Sequence, residues 1–221
     1  AYENGPLFKY FLDGSRRCYK IADMSYTNRI YPIFASQIAV ACIERKDKLF
    51  KHKKKLINTI LSFPATAGHK DELVEHTESI LSKNPLKFDL SIDRVETYST
   101  RKSDTSYENR AMGIIQQLMV DKEKEVIIDL AKTQCLNEEN YLLKDGSLEY
   151  GSRTSDGFEA ENIDLWKIRS HFQRVVGVSK KFTPETLSNH PRQRDIANDI
   201  AKLNEFHRTP AFKYQAPHTD E

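Results

Sequence analysis

Phe8-Lys9-Tyr10-Phe11-Leu12-Asp13-Gly14-Ser15 begins the stretch that decides the fold. An apolar run ends there on Asp-Gly-Ser. A second run follows from Cys18 to Met24, Ser25-Tyr26-Thr27-Asn28 interrupts it, and a third continues from Ile30 to Ile43. Apolar runs of strand length separated by turn residues predict strand, turn, strand, turn, strand, which is an antiparallel three-strand meander. Ile38, Val40 and Cys42 alternate with Ala39, Ala41 and Ile43. Both sets are apolar or small, the pattern of a strand covered on two faces.

Beyond the meander, Arg45 to Lys55 is strongly basic and Leu56 to Phe63 is apolar, ending at Pro64. Leu73, Val74, Ile80 and Leu81 predict a short helix over Asp71 to Leu81, and alternation predicts a strand over Phe88 to Tyr98. The clearest helical period runs from Tyr107 to Thr133, with Ser106 placed to cap it. Tyr141-Leu142-Leu143 is a further strand, running into Lys144-Asp145-Gly146-Ser147. A polar segment near 149–163 reads as a surface insertion, Phe172 to Val178 as a strand and Pro191 to Leu203 as a helix. A meander followed by alternating helices and strands is an α/β pattern with a mixed sheet, read as one domain over residues 1–221.

Composition narrows the function. The chain has 221 residues, 34 of them Lys or Arg and 32 Asp or Glu, for a net charge of +2. That balance excludes a histone-like coat and an acidic disordered tail, and leaves room for a local basic surface. No apolar run approaches a membrane span, and no apolar leader suggests export, so a soluble cytoplasmic protein without membrane attachment is expected. The chain starts on Ala1 and stops in loop-like sequence, so native termini beyond both ends are expected. Cys18, Cys42 and Cys135 are sparse and odd in number, as for free thiols in a reducing compartment. Zinc-protease, P-loop, dinucleotide and serine-hydrolase motifs are all missing.

Asp13 and Asp145 share one context, an apolar strand followed by Asp-Gly-Ser. Each reads either as a turn, since Asp-Gly favours one, or as a carboxylate at a strand end. Two such carboxylates on neighbouring strands suit a hard divalent cation. On the long helix, Glu123 falls on the stripe of Met112, Ile115, Met119, Val126 and Leu130. A carboxylate there requires a metal or a Lys or Arg partner. Glu125 lies about 200° away and belongs in solvent, and Glu108 in the first turn suits the helix dipole. Arg16 and Arg17 beside Asp13 suit an anionic substrate. Lys180 at a strand end could meet a phosphate, and the lysines ending in Lys53, Lys54 and Lys55 read either as a DNA-tracking patch or as a solvated face. The signal at His207 is weak.

A strand Asp, a meander, a helix Glu and a second strand Asp are the parts of an RNase H-like metal nuclease. With Phe11-Leu12-Asp13-Gly14-Ser15, Leu142-Leu143-Lys144-Asp145-Gly146-Ser147-Leu148 and Val175-Val176-Gly177-Val178-Ser179-Lys180 in this order, the chain resembles the NurA nuclease family. The resemblance implies an RNase H-like fold, a homodimer, and DNA cleavage dependent on manganese or magnesium. It also implies a HerA-type hexameric ATPase partner, in DNA end processing, repair or antiviral defence. Carried over by motif, Asp13, Glu123 and Asp145 would hold metal, and Lys180 would join them in catalysis. Arg16, Arg17, Lys53, Lys54, Lys55 and Lys180 would contact DNA. The family's late His and Asp have no counterpart before Glu221. The competing readings are a PIWI-type guide-dependent domain and a non-catalytic docking subunit of an ATPase complex.

Overall fold

The computed structural model describes residues 7–83, 91–101, 105–146, 148, 173–178, 198–205 and 207–208. Their centre is a meander of three long strands, β1 (Phe8–Tyr26), β2 (Arg29–Lys46) and β3 (Leu49–Pro64). Two-residue turns join them, Thr27-Asn28 and Asp47-Lys48, all four residues at positive φ. That backbone matches the twist of paired strands.

The meander is as expected, but its members differ. Asp13-Gly14-Ser15 makes no turn. It pairs without interruption to Ala41, Val40 and Ala39, so the first two expected strands are one. The long apolar β2 acts as a continuous template, and Gly14 does not take the positive φ that an Asp-Gly turn uses. The basic stretch from Arg45 is the second hairpin, and Leu56 to Phe63 completes β3.

Helix α1 (Lys70–Lys83) leads toward β4 (Arg94–Tyr98), which pairs parallel to β3 at the sheet edge. Buried Glu96 on β4 is satisfied by Lys70, 3.2 Å away, and by Arg94, which ties the two elements together. Helix α2 (Tyr107–Lys132) follows, with the Ser106 hydroxyl accepting from the Asn109 N–H at 3.2 Å. Then come β5 (Tyr141–Asp145) and β6 (Val175–Val178). The sheet order is β4-β3-β2-β1-β5-β6, with β2 alone antiparallel to its neighbours. The α/β class and the mixed six-strand sheet are therefore as the sequence pattern predicts.

The core lies between α2 and one sheet face. Ile115, Leu118, Met119, Val126, Ile127 and Leu130 pack on Tyr10, Leu12, Ile38, Val40, Cys42, Ile60 and Leu142. Alternation sends the even residues of β2 into this core and leaves Ala39, Ala41 and Ile43 half-buried opposite. Among the described residues one face is packed, and small side chains let the other pass for buried. The insertion near 149–163, Phe88 and Phe172 lie outside the described residues, and the last helix is described only from residue 198. No helix among the described residues is long and apolar enough to cross a membrane.

Candidate functional site

Strands β1 and β5 are parallel neighbours, and the last pair of their ladder is Leu12 with Lys144. Asp13 and Asp145 are the next residue on each strand. Adjacent strands lie about 4.8 Å apart, so two backbone positions bearing carboxylates adjoin where the ladder stops. This is also where the sheet order reverses, β2 and β3 lying to one side of β1 and β5 and β6 to the other.

The two Asp-Gly pairs reach this place differently. Gly146 takes φ 94° and bridges to Val178 as β5 ends. Gly14 stays extended, and β1 runs on along β2 to Tyr26. The pleat directs Leu12 and Gly14 toward α2 and leaves Asp13 exposed on the other side.

Glu123 comes from α2. It is 2% exposed, and its carboxylate occupies the space that a side chain on residue 14 would fill. Lys144, also buried, extends from β5 to put Nζ 3.0 Å from Glu123 Oε2. The same ammonium donates to the Asp145 carbonyl at 3.1 Å. Oε2 nonetheless receives no well-directed hydrogen bond, so the contact is an ion pair with an oxygen still short of a donor. Burial pushes the Glu123 carboxyl above its ordinary range. Lys144 pulls it down, and the negative charges of Asp13 and Asp145 push it up again. The charges of both aspartates thus reach Glu123 at the end of the β1–β5 ladder. Glu125 lies exposed on the other side of α2, bridged to Lys122 at 2.6 Å, and Glu108 is exposed in the first turn.

Lys144 is the residue that sequence reasoning missed. The signal was present, because Leu142 and Lys144 alternate toward the same face. A lysine in phase with a buried leucine, opposite an inward glutamate, is the partner that burial of Glu123 demands.

The basic residues separate by face. Arg16 points to α2, its Nε donating to Gln116 Oε1 at 2.6 Å, while Arg17 is exposed with Asp13. Lys54 is bound to Asp129 of α2 at 2.7 Å, and Lys53 lies over the Tyr10 ring. Lys55 is exposed and pairs with Ala41, whose other partner is Asp13. Lys180 lies outside the described residues, and His207 sits on an exposed turn with Nδ1 3.0 Å from the Glu205 carbonyl.

Oxygen ligands from Asp13 and Asp145 have the chemistry for a hard divalent ion. Among the described residues no three His, Cys, Asp or Glu side chains close around one point; Asp13 is on the face away from α2, and Glu123 is on the α2 side beside Lys144. The donor types therefore fit such an ion, with two aspartates as its first ligands. Comparison with known proteins finds no matching family model and no matching curated sequence.

Proposed function

We propose that this chain is a divalent-metal-dependent DNA nuclease of NurA type, with an RNase H-like sheet. The observation that carries the reading is that Asp13 and Asp145 occupy adjoining backbone positions immediately after the last β1–β5 rung. The sheet supports it as well: an antiparallel meander extended by parallel strands on the β1 side, with a long helix across it. Bound manganese or magnesium would supply Lewis-acid stabilisation of a phosphodiester undergoing in-line displacement. Asp13 and Asp145 would hold it, while Glu123 stays on the α2 side of the sheet, against Lys144. Lys144 offsets part of the burial that disfavours the Glu123 charge. Arg17 and Lys180 would orient the substrate phosphates. The homodimer and the HerA-type ATPase partner belong to the same proposal and rest on the sequence resemblance.

One observation favours a second reading. Lys144 already gives Glu123 a cation, as in a site that has exchanged metal for a lysine. On that reading the chain is a non-catalytic docking subunit. Labelled linear single- and double-stranded DNA, incubated with and without manganese, separates the two. The nuclease reading expects cleavage that chelation abolishes. Intact DNA under every divalent ion would leave the docking subunit.

A further inference from the structure

The sheet face away from α2 carries a second arrangement, beside Asp13 and outside the carboxylate chemistry. Phe11 and Phe50 meet there edge to face, ring centres 6.0 Å apart. Phe50 is 62% exposed and pairs with Arg45, next to the Asp47-Lys48 turn. Phe11 lies two residues before Asp13, so the pleat puts both on this face. His52 joins them through its pairing with Ile43, the β2 partner of Phe11. The next row of the same face is Asp13, Ala41 and Lys55. Alanine between an aspartate and a lysine leaves a shallow floor there, leading from the rings to the carboxylate.

Charge identifies the occupant. Residues 45–55 contain seven Lys or Arg and one Asp; of these, Arg45, paired with Phe50, and Lys55, paired with Ala41, share the face of the rings, while Lys54 is held by Asp129 on the α2 side. A protein partner would have to desolvate these lysines, which interface cores avoid. A polyanion is attracted by them, releasing counterions as it binds. Exposed aromatic rings within a basic surface offer stacking to bases. Such stacking needs bare base faces, which a paired duplex withholds.

We propose that Phe11 and Phe50 form a stacking platform for single-stranded nucleic acid, with the β2–β3 hairpin cations holding its backbone and the strand laid across the open face toward Asp13. The proposal rests on the nuclease reading for its direction, and its binding step is independent of cleavage. Phe50 is the principal stacking residue, being the more exposed ring at the hairpin tip.

The test is equilibrium binding in EDTA, which removes catalysis, using a labelled oligothymidylate and the matching duplex. Wild type should bind the single strand more tightly. Phe50→Ala, its fold checked by circular dichroism, should lose roughly tenfold of that affinity and keep its salt dependence. Phe50→Trp should retain binding and show fluorescence quenching when the oligonucleotide is added. Arg45→Gln with Lys55→Gln should instead lower the log–log salt slope by roughly 0.7 for each phosphate that is no longer neutralised. Wild-type single-strand affinity in folded Phe50→Ala overturns the proposal, as does equal affinity for duplex. A change of oligomeric mass in Phe50→Ala with no change in binding makes the platform a protein contact and also overturns it. Ring-dependent binding without cleavage under any metal would sink the nuclease reading alone. Cleavage with ring-independent binding would sink this inference alone.

Discussion

Gly14 lies so close beneath Glu123 that a β-carbon built on it would stand 2.5 Å from Oε1 and 3.1 Å from Met119 Cγ. The second residue of the first Asp-Gly pair is therefore a seat for the helix carboxylate. Its value is its lack of a side chain, since its backbone is extended.

Gly14→Ala should push the Glu123 carboxylate off this seat and strain its contact with Lys144. The carboxylate is a movable chain end, but it is buried and tethered, so a cost of about 1–3 kcal/mol is expected, as for other overpacked interiors. Chemical denaturation measures it. An unchanged midpoint would mean that Glu123 has another place to go.

Removing Lys144 alone should be worse than removing the pair. Lys144→Met leaves Glu123 buried beside two aspartates, and a loss of about 3–5 kcal/mol is expected. Glu123→Met with Lys144→Met together should recover most of it, because buried ion pairs often exchange for apolar residues at little cost. Additive losses in the double variant would contradict the pairing.

Helix α2 ends in a motif that can be improved. The Cys135 N–H donates to the Leu130 carbonyl and the Gln134 N–H to the Ala131 carbonyl, both at 3.0 Å, with Gln134 at φ 55°. This is the Schellman arrangement, whose left-handed position favours glycine. Gln134→Gly should raise stability by roughly 0.5–1 kcal/mol. A lower melting temperature would show that the glutamine side chain holds the helix end.

The thiols should differ sharply in reactivity. Burial pushes Cys42 up to about 12. Burial also opposes ionisation of Cys135, but hydrogen bonds with Thr133, Tyr10 and Lys53 outweigh it and set this thiol below its ordinary range. Alkylation follows the thiolate. At neutral pH, iodoacetamide should label Cys135 in the native protein and reach Cys42 only on unfolding. Mass spectrometry of digests reads the order, and equal labelling would contradict it.

Much of this architecture is legible in the residues. Alternation along β2, the period of α2 and the Ser106 cap are local patterns, and local patterns specify elements. Glu123 was legible too, because a lone carboxylate in an apolar stripe marks an inward position that Glu125 does not share. The identical Asp-Gly-Ser motifs were ambiguous for a non-local reason. Gly146 takes positive φ where the β1–β5 ladder has ended, its N–H still bonded to the Val178 carbonyl, while Gly14 stays extended because β2 continues beside it. Lys144 went unassigned because its role depends on α2, a separate element. Phe50 was hidden in a charge run, and the β3 bulge opposite Cys42 and Ile43 helps decide which of its neighbours share a face.

The central claim is that Asp13 and Asp145 together hold a catalytic divalent ion. The most direct measurement is manganese binding by electron paramagnetic resonance, paired with manganese-dependent DNA cleavage, on wild type, Asp13→Asn and Asp145→Asn. Asparagine keeps the size and loses the charge that a hard cation requires. Each single variant should fold, lose manganese binding by at least tenfold and abolish cleavage. Manganese binding and cleavage at wild-type levels in a folded Asp13→Asn protein would contradict the account.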